Sequence, residues 1–218
     1  MTLVTRWWWI RHAPVRSGGR IYGNDDPPSD CADLESFRYL ARAMPERPLW
    51  VVSNLQRTHQ TAAAIRDHLP NGAAEAPDQL VEPTIAEQSF GDWQGLTNEE
   101  LNRQRDGAWH RFWLAPAHEV PPGGESFIDV MARVSGTIDR LLADHGGRDI
   151  VVVAHGGSIR AAIAHALGLS PEKALGFVIG NCSLTRLDHI SGASGSHPGA
   201  DQDSWRVNGI NHLPDESE

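Results

Sequence analysis

Two histidines in this chain each follow a continuous apolar run, and together they suggest one chemical site. Arg11-His12 comes after Trp7-Trp8-Trp9-Ile10, and His155-Gly156-Gly157 comes after Ile150-Val151-Val152-Val153-Ala154. Each run predicts a buried strand, and ligands of open α/β sheets bind at the carboxyl ends of the strands. We therefore expect both histidines at one sheet edge, where paired imidazoles and an arginine suit transfer of a phosphoryl group through a phosphohistidine.

A third segment adds another arginine to this predicted site. Ser53 ends an apolar run, and Arg57 follows it near the start of a predicted helix. Helix N-termini carry free N–H groups and partial positive charge, so an arginine there strengthens an anion site. Arg11 and Arg57 can each present a planar fork of donors to phosphate oxygens. Gly156 and Gly157 would let the backbone of the next helix approach a phosphate closely.

The elements that must position these residues alternate along the chain. Continuous apolar runs predict buried parallel strands over residues 6–10, 49–53 and 149–154. Apolar residues at helical spacing predict helices over residues 57–69, 126–145 and 158–169. This alternation predicts an α/β fold, a three-layer α/β/α sandwich with a mostly parallel central sheet. Residues 183–190 and 205–211 predict an antiparallel hairpin at the sheet edge.

Other segments are less regular. Trp7-Trp8-Trp9 should place side chains on both faces of the sheet, because successive residues of a strand point in opposite directions. A helix is predicted over residues 103–113, and its aromatic residues are assigned to the core rather than to a substrate pocket. Residues 17–31 predict a surface loop, and residues 213–218 a frayed acidic tail. We expect residues 1–218 to form a single domain.

Composition excludes several classes of function. A formal net charge of −9 argues against nucleic-acid binding, so a few local arginines must hold any anionic substrate. No apolar stretch is long enough to span a membrane, and the first residues lack the pattern of a signal peptide. Cys31 and Cys182 have no metal-binding spacing, and reduced thiols are favoured over a disulfide. We expect a cytoplasmic protein that binds neither nucleic acid nor membrane and has no metal site.

Five segments, in chain order, resemble the histidine phosphatase superfamily in its phosphoglycerate mutase-like branch. Any one of them alone would be weak, because short motifs such as an Arg-His pair are common. The segments are Arg11-His12, Ser53-x-x-x-Arg57-Thr58-x-Gln60-Thr61-Ala62, Glu87-x-x-Phe90-Gly91-x-Trp93-x-Gly95, Gly123-Gly124-Glu125-Ser126 and Ala154-His155-Gly156-Gly157.

The resemblance implies a role for each matching residue. It makes His12 the nucleophile that takes the phosphoryl group, and it places Arg11, Arg57 and His155 around the phosphoryl oxygens. It makes Glu87 the general acid that protonates the leaving alkoxide and then activates water. Glu82, five residues earlier, is the alternative carboxylate, but the landmark Phe90-Gly91-x-Trp93 favours Glu87. The family chemistry implies no cofactor.

The resemblance leaves three interpretations of the function open. Gln88 replaces the arginine that phosphoglycerate mutases of this superfamily carry after the acid, and His155 is followed by Gly-Gly rather than Gly-Asn. These departures favour hydrolysis of a small phosphomonoester over a bisphosphate-dependent mutase. The third alternative is a binding module that holds a phosphorylated ligand without catalysis.

The substrate and the oligomeric state are less constrained. Tyr22-Gly23-x-x-Asp26-x-Pro28 resembles the α-ribazole phosphatase subgroup, which makes α-ribazole 5′-phosphate a candidate substrate and Tyr22 a substrate contact. The predicted hairpin would leave an edge strand that could pair with a second subunit, so both a monomer and a dimer stay open.

Overall fold

The protein is described by a computed structural model that covers residues 2–70, 79–105, 110–192 and 203–213. These residues contain β1 (Leu3–Arg11), β2 (Leu49–Val52), β3 (Gln79–Val81), β4 (Asp149–Ala154), β5 (Leu184–Ser191) and β6 (Ser204–His212). The strands form one sheet in the order β3-β2-β4-β1-β5-β6. β1 to β4 run parallel, while β5 is antiparallel to both β1 and β6. The predicted mostly parallel sheet with an antiparallel edge hairpin is therefore confirmed.

Helices cover both faces of this sheet. The described residues form α1 (Leu34–Ala43), α2 (Gln56–Arg66), α3 (Asn98–Gln104), α4 (Phe127–His145), α5 (Gly156–Leu167) and α6 (Pro171–Ala174). α1 and α2 share one buried cluster with Trp8 and Trp50, and α4 and α5 share another with Trp7 and Trp9. This arrangement confirms the three layers. None of the helices in the described ranges is long and apolar enough to cross a membrane.

The central strands bring the two histidines together. Trp7 and Trp9 stack on one face of β1, with ring centroids 5.8 Å apart, and Trp8 packs on the other face, as predicted. β1 pairs with β4 in a register that sets Arg11 opposite Ala154. His12 and His155 therefore follow neighbouring strand ends, and the backbone N–H of His12 donates to Ala154 O at 2.9 Å.

The helix predicted over residues 103–113 is confirmed only at Arg103 and Gln104, the last two residues of α3, and is wrong in the rest of its described part. α3 begins earlier, at Asn98, and the side chains of Thr97 and Glu100 form a reciprocal cap at its N-terminus. The backbone becomes extended at Arg105. The guanidinium of Arg105 forms an ion pair with Glu119 and donates to Leu114 O at 2.9 Å. Residues 110–113 are turns rather than helix, and Trp109 lies outside the described residues. Most of the predicted frayed tail, residues 214–218, lies outside them as well.

The segment that carries Glu87 packs directly against a second glycine-containing turn. A Cβ at Gly91 would lie 2.0 Å from Pro122 O, and a Cβ at Gly124 would lie 2.4 Å from Ser89 O. Gly91 also has a φ of +50°, a conformation that favours glycine. The motif glycines therefore let two backbones touch, and this contact fixes where the Glu87 segment lies.

Replacing Gly91 with alanine should destabilise the protein, because its Cβ collides with backbone and its φ is unfavourable for alanine. We expect a loss of at least about 1–3 kcal/mol in the free energy of unfolding, measured with urea. Gly136→Ala is the matched control, since Gly136 lies exposed in α4 with open space around it. That change should stabilise the protein by about 0.5–1 kcal/mol. Equal effects of the two substitutions would contradict the packing role of Gly91.

Candidate active site

His12 presents an unprotonated ring nitrogen. It is fully buried, and its Nδ1 lies 2.7 Å from Ala13 O, which can only accept a hydrogen bond. The proton of the neutral ring is therefore on Nδ1, and Nε2 carries the lone pair. Nε2 has no hydrogen-bond partner among the described residues. Burial and the nearby guanidinium of Arg57 lower the pKa of His12 to about 3, so the ring is neutral near pH 7.

His155 lies against His12, with ring centroids 5.1 Å apart. Its Nδ1 accepts a hydrogen bond from Arg57 Nε at 3.3 Å, so the neutral ring carries its proton on Nε2. Nε2 in turn donates to Ser53 Oγ at 2.8 Å. Burial, together with His12 and the arginines, lowers the pKa of His155 well below its usual value. Both imidazoles are thus neutral, in opposite tautomers.

Arg57 is fully buried and has a partner for each part of its guanidinium. Besides the bond to His155, Nη1 donates to Asp25 O at 2.5 Å and Nη2 donates to Gly23 O at 2.6 Å. The Tyr22 ring lies 5.1 Å from its Cζ. The surface loop predicted over residues 17–31 therefore supplies the carbonyl groups that hold a buried cation beside the histidines.

Arg11 reaches the same site from the end of β1. Its Nη1 donates to Ile179 O at 2.6 Å, whereas its Nε is buried without a partner among the described residues. A phosphoryl group requires a donor to its oxygens and a nucleophile for its phosphorus. The unpaired Nε–H of Arg11 can act as the donor, and the unpaired Nε2 of His12 can act as the nucleophile.

The other residues of the Ser53–Thr61 motif support this arrangement. Thr61 Oγ1 accepts from the backbone N–H of Ala13 at 2.9 Å and donates to Arg57 O at 2.7 Å. Gln60 Oε1 accepts from the backbone N–H of Ser29 at 2.8 Å, which ties the loop to α2. The spacing of the motif therefore reflects contacts on one face of α2, which hold the nucleophile loop and the arginine in register.

Glu87 lies within reach of the same helix N-terminus. Its Oε1 accepts from the backbone N–H of Gly157 at 3.0 Å and from that of Gln88 at 3.0 Å. A Cβ at Gly157 would lie 2.4 Å from Oε1, so only glycine admits the carboxylate. We predicted that Gly156 and Gly157 would admit a phosphate, but in this structure the N–H of Gly157 is taken by Glu87. Glu82, the alternative, lies away from the site in an ion pair with Arg140.

A cavity of about 690 Å³ opens beside these residues. Its lining includes Arg11, Tyr22 and Glu87 together with residues 110–114. His12, Arg57 and His155 are fully buried and do not line it. Tyr22 lines the cavity and also touches the edge of the His12 ring, with centroids 6.4 Å apart. Tyr22 is therefore adjacent to both the cavity and the nucleophile.

Two features of this cavity were not predicted. Phe112 is 59% exposed and lines it, so its assignment to the core was wrong, while Trp113 both lines the cavity and packs against the core. Gln88 Oε1 accepts from Trp113 Nε1 at 3.0 Å and so orients the ring. Arg160 lies over that ring, with its Cζ 4.5 Å from the centroid. The only sequence signal for Arg160 was its position one helical turn after Gly156.

Several proteins that are similar to this chain are named as phosphatases. Glucosyl-3-phosphoglycerate phosphatase of Mycolicibacterium vanbaalenii is 33% identical over 214 residues, covering 91% of this chain and 90% of that protein. Phosphoserine phosphatase 1 of Hydrogenobacter thermophilus is 30% identical over 184 residues, covering 81% and 82%. A bifunctional protein of Mycobacterium tuberculosis is 38% identical over 117 residues, which is 54% of this chain and 30% of that longer protein.

Solved structures and a family model agree with these similarities. The structure of mycobacterial glucosyl-3-phosphoglycerate phosphatase has a TM-score of 0.77 at 28% identity, covering 95% of this chain and 99% of that one. The α-ribazole phosphatase of Shigella flexneri has a TM-score of 0.71 at 23% identity, covering 95% and 96%, which is a likeness of fold. The model of the histidine phosphatase superfamily (branch 1) matches residues 7–195, and the chain belongs to this superfamily.

Proposed function

We propose that the chain is a phosphoric monoester hydrolase that works through a phosphohistidine on His12 Nε2. The observation that carries the proposal is the state of His12, a neutral ring with its lone pair on an unpartnered Nε2. A neutral imidazole can attack phosphorus directly, and the two neighbouring arginines offset the charge of the phosphoryl oxygens. Because protein cations do this work, the reaction needs no metal or other cofactor.

Two displacements at phosphorus complete the reaction. In the first, His12 Nε2 forms a bond to phosphorus, the ester P–O bond breaks, and protonated Glu87 gives its proton to the leaving oxygen. In the second, Glu87 takes a proton from water, the hydroxide displaces His12, and inorganic phosphate leaves. Arg11, Arg57 and the neutral His155 surround the transferred group in both steps. Fixed donors of this kind account for most of the catalysis in phosphoryl transfer.

The substrate class is narrower than that of phosphomonoesters in general. The relatives at 30–33% identity act, by their names, on phosphoserine and glucosyl-3-phosphoglycerate. These names support a small phosphorylated metabolite as the substrate. α-Ribazole 5′-phosphate stays a candidate on the Tyr22-Gly23-x-x-Asp26-x-Pro28 segment alone. The cavity beside Glu87 is large enough for a leaving group with several carbons or a ring.

Removing the nucleophile tests the proposal. In His12→Asn the amide can keep the hydrogen bond to Ala13 O, but no ring nitrogen remains to attack phosphorus. We expect phosphate release from p-nitrophenyl phosphate and 3-phosphoglycerate, measured with EDTA present, to fall about 10³-fold or more. His145→Asn, at the far end of α4, should retain full activity. A folded His12→Asn protein that keeps its activity would exclude the phosphohistidine, and conversion of 3- to 2-phosphoglycerate by the wild type would indicate the mutase.

Replacing Glu87 tests the general acid. Glu87→Gln keeps an oxygen that can accept from Gly157, but it has no proton to give to a leaving alkoxide. We expect turnover of an alkyl phosphate such as glycerol 3-phosphate to fall about 10²–10⁴-fold. The rate of phosphohistidine formation from p-nitrophenyl phosphate, whose leaving group needs no proton, should fall much less. Glu82→Gln is the matched control and should change neither rate; if it abolished turnover, the two carboxylates would exchange roles.

The neutral state of His12 predicts a pH dependence of stability. The pKa is about 3 in the folded protein and 6.5 in the unfolded chain, so between these values the unfolded state binds a proton that the folded state does not. Stability is therefore lost as the pH falls from 6.5 towards 3. In urea titrations, His12→Asn should flatten this loss by up to about 1.4 kcal/mol per pH unit. Parallel curves for the two proteins would show that folding does not lower the pKa of His12.

A further inference from the structure

One motif of the sequence, Gly123-Gly124-Glu125-Ser126, contributes a carboxylate that takes no part in the two displacements. Glu125 forms a two-bond ion pair with Arg133 of α4, in which Nε donates to Oε2 at 3.0 Å and Nη2 donates to Oε1 at 2.8 Å. Only 25% of the Glu125 side chain and 20% of the Arg133 side chain are exposed. Two parallel bonds fix the geometry of such a pair, so it can hold other parts of the chain in place.

The rest of the Arg133 guanidinium binds the backbone of the segment that carries Glu87. Nη1 donates to Thr84 O at 2.6 Å and to Ala86 O at 2.8 Å, and Nη2 donates to Glu87 O at 3.3 Å. A guanidinium has five N–H groups, and with two acceptors on Glu125 and three on this segment each of them has an acceptor. Lysine has three donors and no planar fork, so it cannot make the same set of bonds.

Glu125 binds the same segment on the other side of Glu87. Its Oε1 accepts from the backbone N–H of Ser89 at 3.0 Å, and its own N–H donates to Ser89 O at 2.9 Å. Its carbonyl oxygen accepts from Gln88 Nε2 at 2.9 Å. Arg133 therefore holds the residues up to Glu87, and Glu125 holds the two residues after it.

The segment depends on these contacts because it has no regular structure of its own. Residues 86–90 belong to neither a helix nor a strand. The Glu87 carboxylate must nevertheless stay at the edge of the cavity, where it accepts from the N–H of Gly157 at 3.0 Å. A general acid acts only within hydrogen-bond reach of the leaving oxygen, and a displacement of about 1 Å can cost about 100-fold in rate.

We propose that Arg133 is a positioning residue for the general acid and that its ion pair with Glu125 holds it in that role. Arg133 does not line the cavity. It acts by fixing the backbone from which Glu87 reaches the leaving oxygen. The proposal rests on the proposed function for the role of Glu87, but the placement of the Glu87 carboxylate can be measured without turnover.

The leaving-group dependence of the reaction tests the proposal. Arg133→Gln removes the contacts with the three carbonyl groups, so we expect turnover of glycerol 3-phosphate, whose alkoxide needs a proton, to fall about 10- to 100-fold. The first-turnover release of p-nitrophenol from p-nitrophenyl phosphate needs no proton donor and should slow less than about threefold. Equal losses in the two rates, or no loss in either, would overturn the proposal.

Two further variants separate the geometry of Arg133 from its charge. Arg133→Lys keeps the positive charge, which adds to burial in lowering the pKa of His155, but it lacks the planar fork. It should show the same selective loss as Arg133→Gln, and wild-type rates on both substrates would show that charge suffices and the proposal is wrong. Arg140→Gln is the matched control, because Arg140 lies on the same helix and pairs with Glu82, and it should change neither rate.

A double-mutant cycle shows whether Arg133 acts through Glu87. In a Glu87→Gln background the proton donor is already gone, so Arg133→Gln should lower turnover of glycerol 3-phosphate by less than about a further twofold. If the two losses multiply instead, Arg133 affects the reaction by another route and is not a positioning residue for Glu87.

Hydrogen exchange distinguishes failure of this proposal from failure of the proposed function. The backbone N–H groups of Gln88 and Gly157 both donate to the Glu87 carboxylate, so their exchange rates report its placement. Arg133→Gln should speed both rates at least about 10-fold, and Arg140→Gln should change neither. If the wild type hydrolyses nothing but this change is found, the hydrolase is wrong and the positioning role stands. If the wild type hydrolyses both compounds and neither exchange nor leaving-group dependence changes, the hydrolase stands and the positioning role is wrong.

Discussion

The structure depends on keeping two neutral imidazoles and a guanidinium together in a buried site. Burial disfavours the charged form of any side chain. It therefore keeps the two histidines unprotonated, but it also adds a desolvation cost for the guanidinium of Arg57. The cost is limited because each nitrogen of that guanidinium has an acceptor, two carbonyl groups of the 17–31 loop and His155 Nδ1. The last of these bonds also sets the tautomer of His155, and Ser53 completes it. One arginine thus ties the conformation of a surface loop to the protonation pattern of the site.

Sheet topology explains why this cluster forms where it does. The two central strands are parallel neighbours, so the residues after them emerge side by side without a long loop. On the other flank, the turn that precedes the antiparallel β5 closes the site. Ile179 O accepts from Arg11, and Asn181 Nδ2 donates to His12 O at 2.8 Å. The far end of β6 holds this turn, since Asn211 Oδ1 accepts from the N–H of Gly180 at 2.6 Å. The edge hairpin therefore contributes to the geometry of the site.

The sequence predicts best those parts whose local pattern already matches their burial. Continuous apolar runs specify β1, β2 and β4, and motif spacing brings His12, Arg57, Glu87 and His155 to one place. β3 has three residues and no pattern of its own, and it exists because β2 offers it a partner. The aromatic residues after position 105 have the spacing of a helix, but Arg105 is held by Glu119 and the chain leaves the helical path. Such tertiary contacts are invisible in a single sequence.

The residues proposed to act on phosphorus can be predicted from local sequence patterns, whereas the residues that line the cavity depend on tertiary contacts. The groups that would act on phosphorus stand at strand ends and at the first turns of helices, where short motifs specify the backbone and hence the side chains. Part of the cavity wall is built instead from residues 110–114, which lie in a connecting segment outside the helices. Their placement follows from long-range contacts, such as that of Gln88 with Trp113. With a net charge of −9, the chain does not attract anions at long range, so selection among phosphate esters must come from these buried local contacts.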